Sequence, residues 1–185
     1  VVSFGTKLIK MLPKKAKVVI VSETTYQWYV SYMTLLCGDT VVVPVDKELP
    51  DNELENVINR AKATAVIYSA KKKDSIKKVE GNVPTVKYFI EMDSDDYIVD
   101  KHMGMNYLIK EGKERVDAGS TEIMDIEIDP EEVKMLRFTS GTTSKSKGVM
   151  ICSRNLAANI NAVFAYVKLT PADRLFAILP LHHTY

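Results

Sequence analysis

Apolar positions along this chain alternate between two periods. Val18 to Val21 is a β-branched run that predicts a strand, and Ser22 after it is a candidate helix N-cap. From Thr24 to Cys37 the spacing becomes helical: Tyr26, Tyr29, Val30, Met33, Leu36 and Cys37 share one face, and Gly38 supplies the stop. Thr40 to Val43 predicts a second strand, closed by Pro44 because proline brings no N–H to a ladder. Asp51 to Lys62 predicts a helix with Leu54, Val57, Ile58 and Ala61 as its buried stripe, and Ala65 to Tyr68 a third strand. A short basic helix at Asp74 to Val79 and a strand at Val86 to Ile90 complete a regular portion, residues 1–90. Residues 91–132 are less regular, acidic at Asp93, Asp95 and Asp96, with one helical segment at Met105 to Lys110; this portion is expected to run over the surface. In the last portion, 133–185, strands are expected at Val133 to Phe138, Gly148 to Ile151 and Leu175 to Leu179. Between them Ser153 caps a helix from Arg154 to Val167, its inward face formed by Leu156, Ile160, Val163, Phe164 and Val167.

Strand–helix–strand repetition with short connections is the pattern of a parallel sheet covered on both faces. Right-handed crossovers make it a doubly wound, mostly parallel α/β sheet. At 185 residues, 46% hydrophobic and 26% charged, the chain can bury a substantial core. Twenty-five basic residues against 24 acidic ones leave a net charge of +1, so there is no global field to attract nucleic acid. No apolar run approaches the roughly 18 residues of a membrane span, and Lys7, Lys10 and Lys14 interrupt the early apolar stretch where a signal peptide would stand. Cys37 and Cys152 fit no metal spacing and read as free, buried thiols of a reducing, cytoplasmic compartment; attachment to the periphery of a membrane stays open. The chain starts at Val1 without a methionine and stops at Tyr185 straight after a strand-like run, so it reads as a piece of something longer. Half a sheet leaves an open edge and an uncovered apolar face, which invites self-association.

Between the strands expected at Val133 to Phe138 and Gly148 to Ile151 lies the chemistry-bearing segment. Thr139 to Ser146 carries a hydroxyl at every position except Gly141 and Lys145, and Lys147 and Gly148 follow. Hydroxyls, free backbone N–H groups and a lysine are what a protein gathers around phosphate oxygens. A Walker A loop does not fit, because Gly141 and Gly148 stand too far apart, the lysine precedes the second glycine and a strand follows. A dinucleotide-binding turn fails for want of glycines. The bland alternative, a solvated Ser/Thr-rich hairpin, is disfavoured by the ordered run Thr-Ser-Gly-Thr-Thr and its later Lys-Gly-Val, placed where ligands meet α/β sheets.

At these residues the chain resembles the adenylate-forming superfamily, the acyl-CoA synthetases, adenylation domains and their relatives. The signature of that family reads Tyr/Phe-Thr-Ser-Gly-Thr-Thr-Gly-x-Pro-Lys-Gly-Val, and Phe138 to Val149 agree at ten of its twelve places, counting the free one. Gly148-Val149-Met150 followed by Ser153 to Asn159 is similar to the strand and helix after the signature. Leu179-Pro180-Leu181-His182-His183-Thr184-Tyr185 is similar to the family's next motif, and Val43-Pro44-Val45-Asp46 to its early region. Ser144 replaces the usual glycine and Ser146 the usual proline. If the glycine needs φ > 0, serine there costs roughly 1 kcal/mol unless the turn differs. The loss of proline is expected to loosen the loop.

The resemblance implies part of the large N-terminal domain of an AMP-forming acid–thiol ligase, most similar to long-chain fatty acyl-CoA synthetases, with ATP, Mg²⁺ and coenzyme A as the small molecules it handles. It implies phosphate binding by Thr139, Ser140, Gly141, Thr142, Thr143, Ser144, Lys147 and Gly148, an Mg²⁺ oxygen from Thr139, and an acyl-pocket gate at His183. By the same comparison the adenine- and ribose-binding motifs and a C-terminal lysine lie outside these residues, so the 185-residue piece is expected to be inactive by itself. Two other readings remain: an adenylation domain that loads a carrier protein, and a non-catalytic nucleotide-binding or scaffold domain. His102 is expected on the surface, and the run Lys71 to Lys73 with Lys77 and Lys78 as a solvated helix face. The aspartates at 93, 95 and 96 form a polar turn without calcium-loop spacing. Tyr26, Trp28, Tyr29 and Tyr32 are expected in core or interface packing.

Overall fold

In a computed structural model, residues 1–95, 98–139, 146–174 and 176 are described, and they form one eight-stranded sheet. In chain order the elements are α1 (Val2–Met11), β1 (Ala16–Val21), α2 (Tyr26–Cys37), β2 (Thr40–Val45), α3 (Asp51–Ala61), β3 (Ala65–Tyr68), α4 (Lys73–Val79), β4 (Tyr88–Glu91), β5 (Ile98–Val99), β6 (His102–Gly104), α5 (Met105–Asp117), β7 (Val133–Thr139), β8 (Lys147–Cys152) and α6 (Ser153–Tyr166). The strand order is β5-β6-β4-β3-β1-β2-β7-β8. Every pairing from β6 to β7 is parallel; only the edge strands β5 and β8 run antiparallel to their neighbours.

Period-two alternation divides the core between two faces. Val18 and Ile20 of β1 point with Val42, Ile67 and Ile90 toward α1, α2 and α5. Val19 and Val21 point with Val43, Val66 and Phe89 toward α3 and α4. Residues 1–90 therefore fold as the doubly wound arrangement their alternating periods imply. Helix α3 buries Leu54, Val57, Ile58 and Ala61, the expected stripe, and ends on Lys62 in a left-handed conformation.

Several expectations are corrected. Helix α2 buries Trp28, Ser31, Thr34 and Leu35, whereas Tyr26, Tyr29, Met33 and Cys37 are exposed. The inward face is chosen by Trp28, which stacks on Tyr32 at 4.9 Å, and by the small hydroxyl residues Ser31 and Thr34, which meet Met105 of α5 and the start of α1. Both hydroxyls are satisfied: Ser31 donates within the helix to the Gln27 carbonyl at 2.8 Å, and Thr34 reaches across to the Val1 carbonyl at 3.4 Å. Thr25, not Ser22, caps the helix, accepting from the Trp28 N–H, while Ser22 donates to the Glu23 carbonyl. Pro44 does not end β2; it pairs with Ile20, at a position where β7, which meets β2 at Val42, makes no pairing. The thiols are free but not buried: Cys37 is exposed and Cys152 half-buried.

The segment 91–132 holds more regular structure than its sequence suggests. Helix α5 runs on to Asp117 and buries Met105 and Leu108 against α1. Gly112 lets the two helices touch, since a Cβ there would stand 1.8 Å from the Ser3 carbonyl oxygen. Helix α1 itself carries Phe4 and Leu8 into the core, and Lys7 reaches Glu111 at 3.2 Å. His102 is not a free surface residue: its ring stacks on Phe89 at 5.0 Å and its Nε2 lies 2.9 Å from Glu80. At the other end of the chain, α6 is capped by Cys152 with Asn155, not by Ser153. Of its expected inward face only Leu156 packs on the core; Ile160, Val163, Phe164 and Val167 are exposed. The strand expected at Leu175 to Leu179 lies outside the described residues, Phe176 excepted, and no described helix is long and apolar enough to cross a membrane.

Candidate functional site

Strands β1, β2, β3, β4 and β7 run in one direction, so their carboxyl ends form one edge of the sheet, the edge at which open α/β folds bind ligands. Strand β7 reaches that edge and turns back as β8. The two pair from Val133↔Cys152 through Phe138↔Gly148 to Thr139↔Lys147, the last rung before the loop. Thr139 and Lys147 thus stand opposite each other at the mouth of the hydroxyl-rich segment, Thr139 half-buried and Lys147 exposed. The Thr139 hydroxyl donates to the Lys147 carbonyl at 3.5 Å, a long bond that leaves its oxygen available. Gly148 faces Phe138 across the ladder, and a Cβ there would crowd Leu136 at 3.3 Å. Of the residues assigned to phosphate binding, the structure therefore brings Thr139, Lys147 and Gly148 together. Ser140, Gly141, Thr142, Thr143 and Ser144, like the proposed gate His183, lie outside the described residues.

Among the described residues, Lys134 and Arg60 anchor this hairpin from its two ends. Lys134 on β7 is 2% exposed, and its Nζ donates to the Gly38 carbonyl at 2.8 Å with Glu132 at 3.5 Å. Lys15 reaches Glu132 at 2.8 Å, and this hydrogen bond, with the charges of Lys15 and Lys134, holds the Glu132 carboxyl below its ordinary range. At the opposite end of β7, Arg60 at the end of α3 donates from Nη1 to the Ser146 carbonyl at 2.7 Å and to its hydroxyl at 2.9 Å. Sequence reasoning missed Arg60, which sits 86 residues from Ser146 in a helix position that reads as solvated. Ser146 thus accepts two bonds, while residues 140–145 of the loop it was expected to loosen lie outside the described residues.

Elsewhere along the carboxyl edge, burial alone would raise the Glu23 carboxyl, but hydrogen bonding and the charges of Lys71 and Lys47 prevail and hold it low. The basic run is solvated as expected, with Lys78 paired to Asp51 at 2.9 Å. Asp93 accepts from the Ala70 N–H, the work of a polar turn. Among the described residues no three His, Cys, Asp or Glu side chains form a metal cluster. Among the described residues the hairpin mouth offers a hydroxyl and an ammonium, group types that suit phosphate, and the Thr139 oxygen is of the hard kind that magnesium takes.

Comparison with known proteins agrees with this geometry. The AMP-binding enzyme family matches residues 5–185. A CoA ligase of Gibberella moniliformis is 30% identical over 173 residues, covering 91% of this chain and 26% of that protein. A long-chain-fatty-acid–CoA ligase of Escherichia coli O6:H1 is 24% identical over 193 residues, 94% of this chain and 34% of that protein. In fold, the chain superposes on a red-emitting luciferase of Phrixothrix hirtus with a TM-score of 0.82 at 22% identity, over 98% of this chain and 35% of that one. The chain thus spans about a quarter to a third of the length of these relatives. With the family matched over nearly all its residues, and the Thr139–Lys147 hairpin at the carboxyl edge of the sheet, the chain belongs to the AMP-binding enzyme family.

Proposed function

We propose that this chain supplies the phosphate-binding part of an ATP-dependent, AMP-forming ligase that joins a long-chain fatty acid to the thiol of coenzyme A. The observation that carries the reading is the hairpin mouth, with Thr139 and Lys147 as its closing rung at the carboxyl edge of a parallel sheet. In such a reaction an oxygen of the substrate carboxylate bonds to the α-phosphorus of ATP and the bond to the bridging oxygen of pyrophosphate breaks. The acyl-adenylate formed is then attacked by the thiolate sulfur, and AMP leaves. Neither step uses a protein nucleophile; the protein answers the charge that collects on the departing pyrophosphate. Here the Lys147 ammonium and the hydroxyl and N–H groups from Thr139 to Ser144 hold the β- and γ-phosphates, and Gly148 lets β8 lie close against Leu136 and Phe138. Bound Mg²⁺ would supply further neutralisation of the phosphate oxygens, with Thr139 as its protein ligand. His183 closes the acyl pocket.

The long-chain substrate is favoured by the His-His-Thr-Tyr turn and by the name of the Escherichia coli relative. A net charge of +1 and the lack of a membrane-crossing helix among the described residues agree with small-molecule substrates and a cytoplasmic or peripherally bound protein. A second reading, a non-catalytic nucleotide-binding domain, draws on Ser144 and Ser146 in place of glycine and proline. Pyrophosphate exchange in the protein at its full natural length, with palmitate, acetate, benzoate and amino acids as competing acids, separates the two. Exchange with palmitate above the others supports the ligase; exchange with none of a broad acid panel sinks it. Coenzyme A or a phosphopantetheine carrier, offered in turn to the acyl-adenylate, identifies the acceptor.

A further inference from the structure

From outside the signature Arg60 touches β7 and the residue that precedes β8. Its Nη1 holds the two oxygens of Ser146, and its guanidinium carbon stands 5.1 Å from the centre of the Phe138 ring. Phe138 lies one rung inside the mouth, opposite Gly148, and Ser146 is the residue next to Lys147. One side chain from α3 therefore clips β7 to the beginning of β8. Among the described residues the hydrogen bonds of the guanidinium go to the two neutral oxygens of Ser146.

We infer that Arg60 is a positioning residue for Lys147, fixing the lysine at the hairpin mouth by holding Ser146 and Phe138. The Thr139↔Lys147 rung is the last of the ladder, where pairing frays most easily. A lysine side chain has a flexible four-carbon stem, so the reach of its ammonium is set by where its backbone is held. Serine at 146 lacks the fixed φ of a proline ring, and the fork of Arg60 restrains the same peptide by hydrogen bonds instead. Two donor contacts and an aromatic face on one guanidinium give that restraint a direction that a lysine at position 60, a point charge, would not reproduce.

The test uses Arg60→Ala, Arg60→Lys, Ser146→Ala and the double variant Arg60→Ala/Ser146→Ala in the protein at its full natural length. Amide hydrogen exchange is read at Lys147, Gly148 and Val149, with β1 as the internal reference. Arg60→Ala is expected to accelerate exchange at these amides about tenfold, equivalent to ~1.4 kcal/mol, and to leave β1 unchanged. Arg60→Lys falls between wild type and Arg60→Ala. Ser146→Ala, which keeps the carbonyl bond, has a smaller effect, and the double variant matches Arg60→Ala alone. Exchange within twofold of wild type in Arg60→Ala, or effects of the two single variants that simply multiply, overturns the inference. Because Arg60 is exposed, folding is not at stake, and the Arg60→Lys variant provides a second reading if Arg60→Ala proves unstable. A kinetic arm rests on the proposed function: Arg60→Ala raises the KM for ATP in pyrophosphate exchange several-fold more than it lowers kcat. The exchange arm is independent of it. Faster amide exchange in a protein without any ATP turnover retires the ligase reading and keeps the role of Arg60; unchanged amide exchange in an active protein does the reverse.

Discussion

Lys134 is a buried cation on β7, the first strand of the Thr139–Lys147 hairpin, and replacing it separates two contributions to the anchoring of that strand. Lys134→Ala removes a charge-assisted hydrogen bond to the Gly38 carbonyl, a loss of about 1.5–3 kcal/mol for a bond of this type. It also removes three methylenes from a site 2% exposed, at roughly 0.8 kcal/mol each. Against these stands the relief of desolvating an ammonium, which can cancel much of the hydrogen bond. Glu132 is not orphaned, since Lys15 remains 2.8 Å from it. The expected net destabilisation is about 3 kcal/mol for Lys134→Ala, and about 1 kcal/mol for Lys134→Met, which keeps the stem in place. Urea unfolding followed by the fluorescence of Trp28, the single tryptophan and a buried one, measures both. If Lys134→Ala unfolds within about 1 kcal/mol of wild type, or Lys134→Met is the worse of the pair, the buried anchor is wrong.

Other consequences follow from particular contacts. Gly112→Ala places a Cβ 1.8 Å from the Ser3 carbonyl, short of the 3.0 Å that real contacts keep, so α1 must retreat. A loss of about 1–2 kcal/mol is expected after the gain in helix propensity, whereas Gly81→Ala, in a 3-10 turn with nothing within 4 Å of its Cβ, stays within about 0.5 kcal/mol of wild type. Equal unfolding midpoints for the two variants would contradict the close packing of α1 on α5. The Glu132 carboxyl titrates below its ordinary value in the folded protein, so it contributes stability above the unfolded value of about 4.3 that is lost as pH falls through the folded one. Wild type should therefore lose stability between about pH 5 and pH 3 more steeply than Glu132→Gln, as read by urea midpoints across that range; parallel curves would remove the pairing with Lys15 and Lys134 from the account.

How much of this was legible depended on whether the deciding contact was local. The stripe of α3 was readable because acidic and polar residues flank four apolar positions at clean helical spacing. The faces of α2 were not, because its aromatic residues lie all around the helix and the buried side is decided by Trp28 and by Ser31 and Thr34, the latter bonded to the Val1 carbonyl 33 residues away. Helix α1 was hidden by its lysines, although Phe4 and Leu8 are one turn apart; Lys7 and Lys10 instead reach Glu111 and Glu122. The hairpin mouth was legible because its hydroxyls, lysine and glycines follow one another in the chain. Arg60 and Lys134, which hold it from either end, act across 86 and 96 residues and left no local mark.

The central claim is that the Thr139–Lys147 hairpin grips the phosphates of ATP, and fatty-acid-dependent pyrophosphate exchange in Lys147→Ala, at full natural length, tests it most directly. Lys147 is exposed at the end of the ladder, so its side chain can be removed without unfolding the sheet. Loss of one preorganised charge-stabilising donor lowers turnover by about 10²-fold or more, and that is the expected drop, with the urea midpoint unchanged. Exchange at the wild-type rate in Lys147→Ala would contradict the claim.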